Sequence, residues 1–261
     1  MHKDQPNIKY TVLGSGTSSG IPTIGCQCPT CTSGDPRDKR LRTSLLIESE
    51  NTTIVVDTSP DFRQQMLSAN VNDLDAVLYT HQHFDHIGGF DDIRAFNYHT
   101  RKPMQIYLSE DTFIRLKRTF YYAFEKPEQI GGGVPMVEVN IIDNETIRIG
   151  DIEIQPIPLL HGKLNVLGFR IGKFAYCTDT NHIPEASMKE LKELDTLIID
   201  ALRFTPHSTH FSLDEAINVI KKIKPNKAYL IHMAHQMKHA DCEKNLPENI
   251  RLAYDGLEIF A

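Results

Sequence analysis

The chain has 261 residues, with 28 basic against 34 acidic side chains and a formal net charge of −6. That balance excludes a protein held to nucleic acid or an anionic membrane by global positive charge. Hydrophobic residues make up 40% of the sequence, enough for a substantial core, yet no apolar run approaches the length of a bilayer span. The opening MHKDQPNIKY lacks the apolar stretch of a secretory signal. Three of the five cysteines crowd into GCQCPTC at 25–31. Clustered thiols in a chain of this size predict metal binding in a reducing compartment, and so a cytoplasmic location.

Short β-type runs rich in branched and aromatic residues recur along the chain. They are IKYTVLG (8–14), TSLLIE (43–48), TTIVVD (52–57), DAVLYT (75–80), QIYLS (105–109), DIEIQPI (151–157), KFAYCTD (173–179), DTLIID (195–200) and KAYLIH (227–232). Several are apolar nearly throughout, as in strands covered on both faces. GSGTSSG, after the first run, lacks the glycine spacing of a dinucleotide site and reads as a tight turn.

Helical patterns lie between the runs. SPDFRQQMLSA (59–69) opens on Ser-Pro, read as a cap and first turn. SEDTFIRLKRTFYYAF (109–124) and IPEASMKELKEL (183–194) follow, and SLDEAINVIKKI (212–223) carries a capping box of Ser212 with Glu215. IGGGVP (130–135) reads as a loop and segment 110–135 as a lid or wall; LAYDGLEIF (252–260) reads as a terminal hairpin through Asp-Gly. Strands and helices fill 8–130 and then again 136–261, without a linker. One domain over 1–261, with two sheets between helix layers, fits this pattern.

The strongest chemical signal is THQHFDHIGG (80–89), with His81, His83, Asp85 and His86 directly after a buried run. Imidazole and carboxylate are the ligands of zinc, iron and manganese. Residues two apart in extended backbone share a face, so His81 and His83 project together, while Asp85 and His86 turn toward a second position.

This HxHxDH string resembles the signature of the metallo-β-lactamase superfamily. The resemblance implies an α/β fold, a four-layer αββα sandwich, with two metal ions at one edge. It implies three more ligands in order, for which His161, Asp179 and His232 stand at the ends of β-type runs. Carried over, His81, His83 and His161 would hold one ion and Asp85, His86 and His232 the other, with Asp179 bridging. Two close cations would make hydroxide available near neutral pH. The His and carboxylate set accepts zinc, manganese or iron.

The cysteine loop is similar to that of a narrower branch, the cyclic phosphodiesterases encoded with the carbon–phosphorus lyase system. There the cysteines bind a structural zinc with a histidine three residues after the last catalytic ligand. The resemblance thus implies Cys26, Cys28, Cys31 and His235, with His239 as the competing ligand. It also implies Asp85 and His210 as catalytic, His210 as general acid and His207 as the alternative; His182 is secondary. Arg40, Arg42 and Arg203 offer guanidinium forks for phosphate oxygens, with surface positions expected for at least two. Cys177 and Cys242 read as small apolar residues.

The expected activity is therefore metal-dependent hydrolysis of small cyclic phosphate esters of the phosphoribosyl 1,2-cyclic phosphate type, on two divalent ions beside one structural zinc. The expected partner is a small phosphate ester, with no membrane or nucleic acid, and a homodimer is left open. The alternatives on the same fold are a tRNA 3′-processing nuclease, a thioester hydrolase of the glyoxalase II type and a pyrroloquinoline quinone biosynthesis protein.

Overall fold

The computed structural model describes residues 7–125 and 133–260. The first six strands build one sheet: β1 (Lys9–Gly14), β2 (Ser44–Glu48), β3 (Thr53–Val56), β4 (Ala76–Leu78), β5 (Met104–Leu108) and β6 (Val137–Ile141). The next seven build the second: β7 (Ile147–Ile149), β8 (Ile152–His161), β9 (Leu164–Ile171), β10 (Phe174–Cys177), β11 (Thr196–Asp200), β12 (Lys227–Ile231) and β13 (Ile250–Leu252). β14 (Glu258–Phe260) returns to the first sheet. The strand orders are β14-β1-β2-β3-β4-β5-β6 and β13-β12-β11-β10-β9-β8-β7.

Each sheet is antiparallel on one side and parallel on the other. β3 to β6 run parallel in the first sheet, and β10 to β13 in the second. The alternation of side chains builds three cores from the two sheets. In β2, Leu45 and Ile47 enter the layer between the sheets while Leu46 faces outward. In β10, Phe174 and Tyr176 point inward and Ala175 and Cys177 outward. Tyr10 stacks on Phe174 across the inter-sheet layer with ring centroids 3.7 Å apart.

Helices α1 (Phe62–Ser68), α2 (Phe84–Ile87), α3 (Arg94–Thr100) and α4 (Glu110–Thr119) follow strands of the first sheet. Phe62 and Met66 of α1, Phe96 of α3 and Leu116 of α4 cover its outer face. α5 (Glu185–Glu190), α6 (Leu213–Ile223) and α7 (His239–Glu243) belong to the second sheet, with Ile220 and Ile223 of α6 and Cys242 of α7 buried on its outer face. The result is the αββα metallo-β-lactamase fold. The capping box at α6 is present, with the Ser212 hydroxyl and the Glu215 carboxylate each meeting the other's backbone N–H.

Three expectations need correction. The tail does not form a hairpin: β13 pairs with β12 and β14 with β1, so the chain crosses between sheets at Asp255-Gly256. Asp255 serves that crossing by accepting from Ser15 and from the Leu41 N–H. Ser59-Pro60 does not start α1, whose N-cap is Asp61; the Ser59 hydroxyl instead accepts from the Asp61 N–H and donates to Gln65. Residues 110–124 are no lid, since Leu116, Phe120 and Phe124 pack into the helix-covered core of the first sheet. Of the loop expected at 130–135, residues 130–132 lie outside the described residues.

Candidate metal centre

The cleft lies where the parallel strands of both sheets end. Asp57 follows β3, Thr80 and His81 follow β4, Asp179 follows β10, Asp200 ends β11 and His232 follows β12. Open α/β sheets place ligands at such carboxyl ends. Three of these residues take left-handed backbone, Asp57 at φ 66°, Asp179 at 53° and His232 at 62°. Such non-glycine backbone costs about 1–3 kcal/mol per residue and persists where the surroundings fix it.

The seven side chains expected as ligands converge. One group joins His81, His83, His161 and Asp179, and the other joins Asp85, His86, Asp179 and His232, each with donor atoms within 4.8 Å of one another. Asp179 belongs to both. Its Oδ2 lies 3.1 Å from His86 Nε2, 3.4 Å from His232 Nε2 and 3.7 Å from His81 Nε2.

The surrounding hydrogen bonds assign the imidazole tautomers. Thr80 donates to Asp57 twice, from its N–H and from its hydroxyl, both at 2.8 Å. Its hydroxyl oxygen therefore accepts from His81 Nδ1–H at 2.9 Å. His86 Nδ1–H donates to Asp57 at 2.7 Å, and His161 Nδ1–H to the Thr209 carbonyl at 2.7 Å. With Nδ1 donating, neutral His81 and His161 keep an unprotonated Nε2; that of His81 lies 2.9 Å from His83 Nδ1. His81 and His86 both turn Nε2 toward Asp179. His232 is buried with neither ring nitrogen hydrogen-bonded.

Electrostatics agree with this donor set. Burial keeps His81 neutral and pulls His161 down to about 4. Burial also opposes a charge on His86, yet the carboxylates of Asp179, Asp85 and Asp57 push its pKa well above the usual value. Buried carboxylates facing imidazole nitrogens fit divalent cations, which would take the place of the proton that Asp179 otherwise draws onto His86.

His210 sits beside the cluster, its ring centroid 4.5 Å from that of His161 and 4.7 Å from that of His232. Its Nδ1–H donates to the fully buried Asp200 at 2.8 Å. Burial works against its charge, but Asp200 outweighs it and raises the pKa to about 9. His207 is 5.3 Å from His210, and its Nδ1 accepts from Thr209. His182 is exposed and contributes its backbone to a bridge with Leu160.

The second cluster is apart from the first. His235 Nδ1 lies 3.1, 3.5 and 3.9 Å from the sulfurs of Cys26, Cys28 and Cys31. A backbone N–H bond from Cys31 lowers the Cys28 thiol to about 6. Three sulfurs and one imidazole within 4.8 Å match a tetrahedral zinc site. His239 stands outside this group, near Glu243 and Tyr254. Cys177 and Cys242 are buried among apolar side chains.

Among the three arginines, Arg40 departs from expectation. Arg40 is neither a phosphate ligand nor a surface residue: it is buried, pairs with Asp38 at 3.2 Å and donates to the Met237 carbonyl. Arg42 pairs with Asp61, and Arg203 is tied to carbonyls of its own loop. Sequence reasoning missed Asp57 and Asp200, which orient His86 and His210. Both close apolar runs, TTIVVD and DTLIID, by the same signal that singled out Asp179.

Residues 52–233 match the family described as "Beta-lactamase superfamily domain". A crystal structure described as a new diphosphatase from the PhnP family is 40% identical, with TM-score 0.92, covering 98% of this chain and 97% of that one. An octanoyltransferase of Porphyromonas gingivalis is 38% identical over 255 residues, 96% of this chain but 51% of that protein; the chain spans about half the length of this relative. The zinc-bound PqqB of Methylobacterium extorquens, at 16% identity and TM-score 0.77 over 96% of this chain and 99% of that one, shares the fold alone. With its two imidazole and carboxylate clusters at the strand ends, the chain belongs to the beta-lactamase superfamily and has the metallo-β-lactamase fold.

Proposed function

We propose that the protein is a dinuclear metal-dependent phosphodiesterase acting on small phosphate esters, cyclic ribosyl phosphates among them. The observation that carries this reading is His210, held by buried Asp200 at the edge of the ligand cluster. A protonated imidazole there is needed by a leaving alkoxide, whose conjugate acid is very weak. A thiolate leaves without help, since thiols have pKa values near 8.5. The site therefore supports an oxygen leaving group over the thioester of the glyoxalase II type. The PhnP-family diphosphatase supports phosphorus–oxygen cleavage independently.

His81, His83 and His161 would hold one ion, Asp85, His86 and His232 the other, and Asp179 both; zinc, manganese and iron suit these donors. Bound there, two divalent ions would supply charge to the phosphoryl oxygens and lower the pKa of water. The chain's own part is to orient and to move one proton. Asp57 and Thr80 fix the His81 and His86 rings. Asp200 holds His210 with its Nδ1 occupied, so the proton given to the leaving oxygen comes from Nε2. Cations on the adjacent His161 and His232 would draw the His210 pKa down toward neutrality. Cys26, Cys28, Cys31 and His235 would hold a structural zinc. The net charge of −6 supports a small substrate over a tRNA.

The test is hydrolysis of a ribosyl 1,2-cyclic phosphate and a chromogenic phosphodiester by protein stripped and reloaded with manganese or zinc. Turnover is expected with metal and is lost in Asp179→Ala. Hydrolysis of an octanoyl thioester in preference to both esters by the fully loaded protein would overturn the reading.

A further inference from the structure

Asn181 lies two residues beyond Asp179, and its amide joins two parts of the cleft. Its Oδ1 accepts from the Gly162 N–H at 2.8 Å, and its Nδ2 donates to the Ser208 carbonyl at 2.9 Å. A backbone N–H and a backbone carbonyl as partners leave one orientation of the amide.

Gly162 directly follows His161. Ser208 is two residues before His210. The turn and the loop meet closely: Gly162 has φ +64°, and a Cβ built on it would lie 2.9 Å from Thr209 Cγ2. On either side the segment is pinned by backbone bonds, from Phe211 N–H to the Thr180 carbonyl and from Asn181 N–H to the Leu160 carbonyl. Between Arg203 and His210 the loop mostly bonds to itself. Arg203 donates to the Thr205 and Pro206 carbonyls, and His207 takes up Thr209. Among the described residues, the hydrogen bonds that reach residues 204–209 from beyond this loop come from His161, to Thr209, and from Asn181, to Ser208.

Asp200 fixes one nitrogen of His210, but the backbone that delivers the ring arrives through Ser208 and Thr209. We propose that Asn181 is a positioning residue that sets this loop through Ser208 and so places His210 for proton delivery to the leaving group. The inference rests on the reading of His210 as general acid. A displacement of about 1 Å in such a group costs on the order of 100-fold in rate. The loss should grow as the leaving group becomes poorer, because only a poor leaving group needs the proton.

The test compares a methyl and a p-nitrophenyl ester of the same phosphate, hydrolysed by metal-loaded wild type, Asn181→Ala, Asn181→Asp and His210→Ala. Asn181→Asp retains an acceptor for Gly162 and loses the donor to Ser208, which isolates the loop contact and serves if the alanine variant folds poorly. In both Asn181 variants the ratio of p-nitrophenyl to methyl turnover should rise about 10–100-fold, at unchanged metal content measured by elemental analysis. An equal fall for both esters, loss of metal, or no change would overturn the inference and leave Asn181 a prop for the His161 turn. If His210→Ala itself leaves the ratio unchanged, the general-acid reading fails, and with it the role of Asn181.

Discussion

Asp57 shows how much one unreactive side chain does in this cleft. It is fully buried, takes two bonds from Thr80 and one from His86, and through Thr80 also orients His81. One carboxylate thus sets a histidine in each group. Partners of this kind are typically worth 10–100-fold in metal affinity. Asp57→Ala is expected to weaken metal retention at the cleft about 10–100-fold, read by competition with a chelator, while zinc bound at the cysteine loop is unaffected. At this scale the motif HQHFDH was legible because its spacing alone demands an explanation. Asp57 and Asp200 were not, since an aspartate closing an apolar run becomes meaningful only when strand ends are known to converge. Arg40 was opaque for a related reason. KRLR reads as surface, and nothing in the string shows that Asp38, two residues earlier, follows the guanidinium into the interior.

Among the elements, runs of uniform β-branched residues were readable and interrupted ones were not. β9 was missed because LNVLGFRI carries a glycine at its centre. The structure gives the reason for it: a Cβ at Gly168 would sit 2.8 Å from the Tyr176 carbonyl of the neighbouring strand. β6 and β7 were missed as short polar-flanked edges of their sheets. The terminal hairpin failed because Asp-Gly specifies a turn without specifying which sheet each arm will join. The cysteine loop, by contrast, has no strand or helix from Gly25 to Asp35 and depends on its side chains for order. Cys28→Ser is expected to lower zinc stoichiometry by one and the melting temperature by about 10 °C, with Asp179→Ala retaining this zinc. A melting temperature unchanged by Cys28→Ser at reduced zinc content would show that the loop is ordered without the metal.

For the molecule as a whole, the two-part rhythm of the sequence became two sheets, except that β6 and β14 of the second part join the first sheet. β14 places Asp255 where sheet one, the first turn and the segment around Leu41 meet. Burial raises its pKa to about 6, against the three hydrogen bonds that favour the carboxylate. The unfolded value is 3.8. The native state therefore binds the proton more tightly, and this contribution to stability is complete below pH 3.8 and lost as pH rises through 6. It amounts to about 3 kcal/mol. Urea unfolding of wild type and Asp255→Asn across this window should show the wild type losing that much relative to the variant, a difference from which zinc release cancels.

The cysteine cluster carries a further consequence, for the order in which the protein is made. Cys26 and His235 are separated by 209 residues. A ribosome releases the three sulfurs long before the imidazole, so the early chain can offer only sulfur ligands. Any cation captured then is held by an incomplete shell and can still be exchanged. The fourth donor arrives three residues after His232, once every side chain of the cleft has been synthesised. Closing the ring at that moment ties the cysteine loop to a segment made 209 residues later. A chain that stalls before His232 would have neither a finished cleft nor a closed loop.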